Sequence, residues 1–121
     1  MEKYRFKGWD KKTKRFYYIT NFICNDGEID GVSFVGEKFQ SLDEVELFLG
    51  SGLKDMRGNE IFEGDIISLG NRNREEVMIV KFENGEFAAA KIPLKEIHHE
   101  VKVLGNIREI DNEGELKWLT P

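Results

Sequence analysis

Beyond residue 50, glycine recurs too often for a long helix: Gly52, Gly58, Gly64, Gly70, Gly85, Gly105 and Gly114 punctuate runs rich in Ile, Val and Phe. Each glycine inside a helix costs about 1 kcal/mol relative to alanine, whereas between short strands it supplies the turns. The pattern predicts strands over residues 65–69, 76–83, 86–90 and 100–108, with Asn84-Gly85 as a hairpin turn and Pro93 as a break between the last two strands. Short strands without a long helical period predict a small bent sheet, or a partly open barrel of the SH3-like sort, over residues 50–110.

The first 49 residues read as a β-meander. Tyr4 and Phe6 alternate with Arg5 and Lys7, the polar run 10–15 follows, and an aromatic, β-branched stretch covers residues 16–23. Asn25-Asp26-Gly27 tolerates positive φ and turns the chain into a strand over residues 28–35. Residues 41–49 satisfy two patterns. Ser41-Leu42-Asp43-Glu44 fits a capping box with Leu42, Val45 and Phe48 at helical spacing, while Val45, Leu47 and Leu49 alternate as a strand would. The tail, residues 111–121, carries Leu116, Trp118 and Leu119, and its tryptophan predicts docking on the chain itself or on a neighbouring subunit. The fold class is therefore mainly β with at most one short helix.

The length of 121 residues suffices for an autonomous core, and a single cysteine, Cys24, leaves no internal disulfide. With no apolar run long enough for a membrane span and charged residues from Glu2 onward, the sequence predicts a cytoplasmic protein. The net charge of −5 conceals an asymmetry: residues 1–20 carry seven basic and two acidic side chains, and everything after them is strongly acidic. Such a dipolar chain suits self-association, so a homo-oligomer is expected. Lys11, Lys12, Lys14 and Arg15 form the candidate nucleic-acid patch, with Phe16, Tyr17 and Tyr18 as stacking groups.

Chemistry-bearing motifs mostly fail on one residue each. Gly31 to Gly36 has the phosphate-loop spacing but continues with Glu37-Lys38, and Gly31-Val32-Ser33-Phe34 ends on Val35 where a nucleophile elbow needs glycine. Asp26, Glu28, Asp30, Gly31 and Glu37 mimic a calcium loop, yet the preceding stretch reads as a strand, not as an entering helix. His98 and His99 are adjacent, and neighbours on a strand point to opposite faces, so the two cannot readily share one metal, and no further ligands complete a set. The carboxylates Asp55, Glu60, Glu63 and Asp65 could serve hydrolysis if they converge, but Asp55-Met56-Arg57-Gly58-Asn59 reads as a turn whose aspartate bonds its own backbone. No catalytic, metal or cofactor-binding residue is assigned.

The block Gly52-Leu53-Lys54-Asp55-Met56-Arg57-Gly58-Asn59-Glu60-Ile61-Phe62-Glu63-Gly64-Asp65-Ile66-Ile67 resembles the T-G-L-K-D-x-x-G-x-E-I-Y-E-G-D-I-V pattern of the YopX family of phage and prophage proteins. Phe6, Trp9 and Asp10 to Lys14 resemble its opening; Val80, Phe82, Gly85 and Phe87 its middle; and Val103, Leu104, Gly105, Asn106 and Ile107 its close. Ser51 replaces the usual Thr, Phe62 the usual Tyr, and Arg108-Glu109 departs from the usual continuation. The resemblance implies a predominantly β protein of phage or prophage origin, assigns no biochemical activity, and favours strand over helix for residues 45–49. Gly52, Leu53, Asp55, Gly58, Ile61, Glu63, Gly64, Asp65, Ile66, Gly105, Asn106 and Ile107 are then expected to be structural. Gly64-Asp65, for one, suits a sharp turn held by the aspartate. The expected function is a non-enzymatic protein-binding or adaptor module acting on a host or phage protein. The alternatives are a nucleic-acid binder using the basic hairpin and a metal-dependent hydrolase or nuclease using the carboxylates of residues 55–65.

Overall fold

The computed structural model describes residues 6–35, 39–71 and 74–109. They are mostly strand, and they fall into two units that divide between Gly50 and Ser51. The expected docking of the 111–121 tail lies outside the described residues.

The first unit is antiparallel. Its strands are β1 (Phe6–Asp10), β2 (Arg15–Asn25), β3 (Glu28–Phe34), β4 (Phe39–Ser41) and the start of β5 (Val45–Lys54), in the order β4-β3-β2-β1-β5. Ile19, Val32, Phe34 and Val45 form its core, with Phe6, Tyr17, Phe22, Leu42 and Leu47 packed around them. The β2–β3 register slips between Ile19 and Asn21, leaving Thr20 as an extra residue. The slip reverses the alternation, so Phe22 rather than Asn21 comes to the core side, its ring 5.2 Å edge-on from Phe6.

Both signals in residues 41–49 are real and act in succession. The Ser41 hydroxyl accepts from the Asp43 amide and starts a 3-10 turn, Leu42–Glu44, after which the chain is strand from Val45. Pairing of residues 45–49 with β1, from Asp10↔Val45 to Phe6↔Leu49, gives those backbone groups strand partners that a lone two-turn helix could not match.

In the second unit β5 ends and β6 (Glu60–Phe62) lies next to it in strand order. A five-stranded antiparallel sheet follows in the order β10-β9-β8-β7-β11, built from β7 (Asp65–Asn71), β8 (Arg74–Glu83), β9 (Glu86–Ala89), β10 (Ile92–Pro93) and β11 (Val101–Asn106). It is open, with β10 and β11 outermost, and no barrel closes among the described residues. Ile61, Ile67, Met78, Val80, Ala89, Leu94 and Val101 form the core.

Asn84 and Gly85 both take positive φ, as the hairpin expectation requires. The expected strand 86–90 stops one residue early, because Ala90 and Lys91 (φ 51° and 67°) make a two-residue turn into β10. Pro93 then precedes the only helix among the described residues, α1 (Leu94–Ile97). A correction concerns the histidines: His98–Glu100 is a 3-10 turn continuing from α1, so β11 starts at Val101 and the histidines are not on a strand.

Candidate functional site

The family-like block braces the second unit. After β5 the chain turns at residues 55–59: the Asp55 amide donates to the Asn59 carbonyl, Gly58 (φ 86°) donates back to the Asp55 carbonyl, and the Asp55 carboxylate closes the turn. Its Oδ1 accepts from the amides of Arg57 (2.9 Å) and Asn59 (2.8 Å), and its Oδ2 from the amide of Val103 (2.9 Å). The Met56 amide reaches the Val101 carbonyl at 2.9 Å, and His98 Nδ1 lies 2.8 Å from the Lys54 carbonyl. This turn thus engages the outer edge of β11, where unpaired strand groups would otherwise face a neighbour. Burial opposes ionisation of the Asp55 carboxyl, but the amides of Val103, Asn59 and Arg57 and the Asn59 side chain outweigh it and hold its pKa below the ordinary value.

A second knot ties the block to the Gly105-Asn106-Ile107 segment. Gly64 (φ 84°) makes the sharp turn into β7, and Asp65 holds it by accepting from the Phe62 amide at 2.8 Å. The register slip between Val103 and Gly105 leaves Leu104 extra, so that Asn106 comes opposite Asp65. Asn106 Nδ2 donates to Asp65 Oδ1 (3.0 Å) and to the Glu63 carbonyl (3.3 Å), while the Ile107 amide donates to the Gly64 carbonyl (2.9 Å). Asp65 and Asn106 are each 1% exposed. Ile61 and Leu53 belong to the core or its margin, Ile66 is buried, and the Gly52 amide donates to Glu60 Oε2 at 3.1 Å. The Ser51 hydroxyl accepts from the Leu53 amide at 3.0 Å, a bond that the threonine usual in the pattern can also make.

The four carboxylates of residues 55–65 therefore do not form one constellation. Asp55, Glu60 and Asp65 accept separate backbone amides, and Glu63 engages through its main-chain carbonyl. Among the described residues no group of three His, Cys, Asp or Glu side chains could hold a metal ion. The calcium-loop lookalike is the β2–β3 hairpin turn, Asp26 and Gly27 both having positive φ, and its Glu37 lies outside the described residues.

The basic loop 11–14 is shaped from below by Asp10, which is fully buried. Its Oδ1 accepts from the Lys12 and Thr13 amides, and its Oδ2 accepts from Gln40 Nε2. Two of the four candidate nucleic-acid cations have local partners: Lys11 Nζ donates to the Asp43 carbonyl, and Lys12 Nζ lies 3.1 Å from the Glu44 carboxylate. Two of the three proposed stacking rings are also engaged. Phe16 meets Trp9 and Phe48 edge-on at 4.8 and 5.4 Å, and Tyr17 stacks on Phe34 at 4.9 Å.

The register shows what periodicity could not. Lys7 pairs with Tyr18 and Phe48, and Trp9 with Phe16, so these five side chains share the sheet face opposite Phe6, Tyr17 and Ile19. Lys7 Nζ stands 4.4 Å from the centre of the Phe16 ring. At the end of this face an open groove of 330 Å³ is lined by Lys7, Phe16, Tyr17, Tyr18 and Val35, with Tyr18 47% and Val35 48% exposed. Lys7 and Val35 had no signal in the sequence, because each joins the groove only through strand pairing and the Val35 amide's bond to the Tyr18 carbonyl.

Fold and site together define a small two-unit antiparallel β protein with a specific bracing block and an aromatic groove. A family profile described as YopX protein matches residues 5–112, and the chain belongs to the YopX family. It is similar in fold to the crystal structure of protein EF1440 from Enterococcus faecalis, with a TM-score of 0.62 and 20% identity over 92% of this chain and 97% of that one. It is also similar to the X-ray structure of protein yopX from Bacillus subtilis, with a TM-score of 0.65 and 15% identity over 95% of this chain and 100% of that one. No curated protein matches the chain significantly. No helix among the described residues is long and apolar enough to cross a membrane.

Proposed function

We propose that this protein is a non-enzymatic adaptor of phage or prophage origin that docks a segment of a host or phage protein in the bacterial cytoplasm. The observation that carries this reading is the groove of Lys7, Phe16, Tyr17, Tyr18 and Val35, which offers exposed aromatic and aliphatic surface beside a cation. Aromatic side chains backed by a rigid sheet are the usual anchors of protein interfaces. The acidic block supports the non-enzymatic part of this reading, because its Asp55 and Asp65 carboxylates accept backbone amides that hold turns.

The test is capture of a partner from bacterial host lysate, with and without nuclease, by the tagged chain and by its Tyr18→Ala and Val35→Asp variants. One protein retained by the parent and lost from both variants is the expected result. Equal capture by all three would remove the groove from the account. Capture that depends on intact nucleic acid would transfer the function to Lys11, Lys12, Lys14 and Arg15.

A further inference from the structure

Strand β8 lies between β7 and β9, and β9 covers only part of it. β7 pairs with β8 from Arg74 to Ile79, whereas β9 pairs with it only from Val80 to Glu83. Just after Ala89 the left-handed residues Ala90 and Lys91 turn the chain away into β10. Before Val80, the β9 side of β8 therefore has no strand partner among the described residues.

The register says which groups this leaves open. The two-residue turn at Asn84 and Gly85 makes Glu83 and Glu86 a hydrogen-bonded pair, and backbone groups alternate sides along a strand. Lys81, Ile79, Val77 and Glu75 thus aim their amides and carbonyls to the β9 side. The Val80 carbonyl agrees, since it accepts from the Gly64 amide on the β7 side. Lys81 meets Ala88, but the backbone groups of Glu75, Val77 and Ile79 have no partner on that edge among the described residues. The side chains of Val77 and Ile79 are 45% and 42% exposed, and Glu76 is exposed without an ion-pair partner among the described residues. Such edges are ordinarily blunted by proline, lysine or a bulge, and residues 75–79 contain none of these.

A second copy does not fit this edge. If Val77 paired with Val77 of another chain, the incoming Arg74 would fall opposite Val80, where Ala89 already sits. The neighbouring register, with Glu75 opposite Val77, sets Glu76 directly against Glu76.

We infer that this edge receives an extended segment of another protein as an added strand, with aliphatic side chains beside Val77 and Ile79 and a lysine or arginine opposite Glu76. Main-chain hydrogen bonds supply the affinity, and the flanking side chains supply the choice of segment. The site lies in the second unit, so it goes beyond the adaptor reading and does not use the groove.

The probe is a blocked, fluorescent peptide, valine-threonine-valine-lysine-threonine, whose residues meet Ile79 to Glu75 in antiparallel order. Titrated into the full chain by anisotropy, it is expected to bind with a dissociation constant below about 1 mM. Methylating the backbone nitrogen of its second valine should weaken binding at least about fivefold, through one lost hydrogen bond. Val77→Pro should do the same, because it removes an amide that the fold itself does not use. If that variant fails to fold, the methylated peptide on the parent chain carries the test. Glu76→Lys should weaken binding by about fivefold, and a peptide with glutamate in place of lysine should restore it. Hydrogen exchange in the free chain should find the Val77 and Ile79 amides unprotected, and protected once peptide is added.

No binding at about 1 mM, or binding indifferent to the methylated nitrogen, would overturn the inference. So would protection of these amides in the free chain: if it grew with chain concentration a second copy would be the occupant, and if it did not, another segment of the same chain. Tyr18→Ala should leave peptide binding unchanged, which separates failure of this edge from failure of the groove.

Discussion

Replacing Asp55 with asparagine tests whether the most specific block of the sequence is structural. The carboxylate accepts three backbone amides, two on Oδ1 and one from Val103 on Oδ2, and it is 5% exposed. Asparagine keeps one oxygen for Arg57 and Asn59 but turns an NH₂ group toward the Val103 amide, so two donors face each other. A hydrogen bond to a charged group contributes about 1.5–3 kcal/mol, and an unsatisfied buried donor costs about 1–3 kcal/mol. Allowing for partial relaxation, the expected loss is about 3 kcal/mol, or about 12 °C in the melting temperature of a chain this size. Urea unfolding at several pH values is the assay.

The sign of the pH dependence follows from the lowered pKa of Asp55. A carboxyl whose folded pKa lies below its unfolded one stabilises the protein fully above the unfolded value of 3.8, and that contribution is lost as pH falls through the folded value. The gap between parent and variant should therefore be constant near neutrality and shrink in acid below pH 3.8. A gap under about 1 kcal/mol at neutral pH, or one unchanged down to about pH 2.5, would refute the assignment of Asp55 as the brace of β11.

Asn106→Asp should be costlier at neutral pH than in acid, because it sets a second buried carboxylate 3.0 Å from Asp65 Oδ1. A loss of about 2–3 kcal/mol at neutral pH, partly recovered at about pH 4, is expected by thermal unfolding. Gly8→Ala should destabilise the first unit by about 1–2 kcal/mol in urea, overpacking outweighing the entropy gained by losing a glycine. The added Cβ would lie 2.7 Å from Val45 Cγ1 and 3.1 Å from the Phe34 ring, and a β-branched valine has little freedom to swing away.

The turns were legible where their chemistry is carried by residue type. Asn84-Gly85, Asp26-Gly27 and Gly64-Asp65 announce positive φ or a bonding carboxylate locally, and all three are turns. The β9–β10 hairpin was not legible, since Ala90 and Lys91 carry no preference for the left-handed region and take it because Ile92 and Pro93 pair with Ala89 and Ala88. The setting of the histidines is illegible for a related reason: Pro93 marks a break, but nothing local signals that a helix and then a 3-10 turn follow it.

By itself, then, the sequence determined the mainly β class, the positions of most strands and the local turns that Asp55 and Asp65 hold, because each depends on alternation or on bonds within a few residues. The tertiary structure alone decided which distant groups those carboxylates hold, Val103 for one and Asn106 for the other. It also decided that Lys7, Phe16, Tyr18 and Val35 line one groove. Cross-strand register is a relation between segments far apart in the chain, set by the packing of whole sheet faces and by single-residue slips such as those at Thr20 and Leu104.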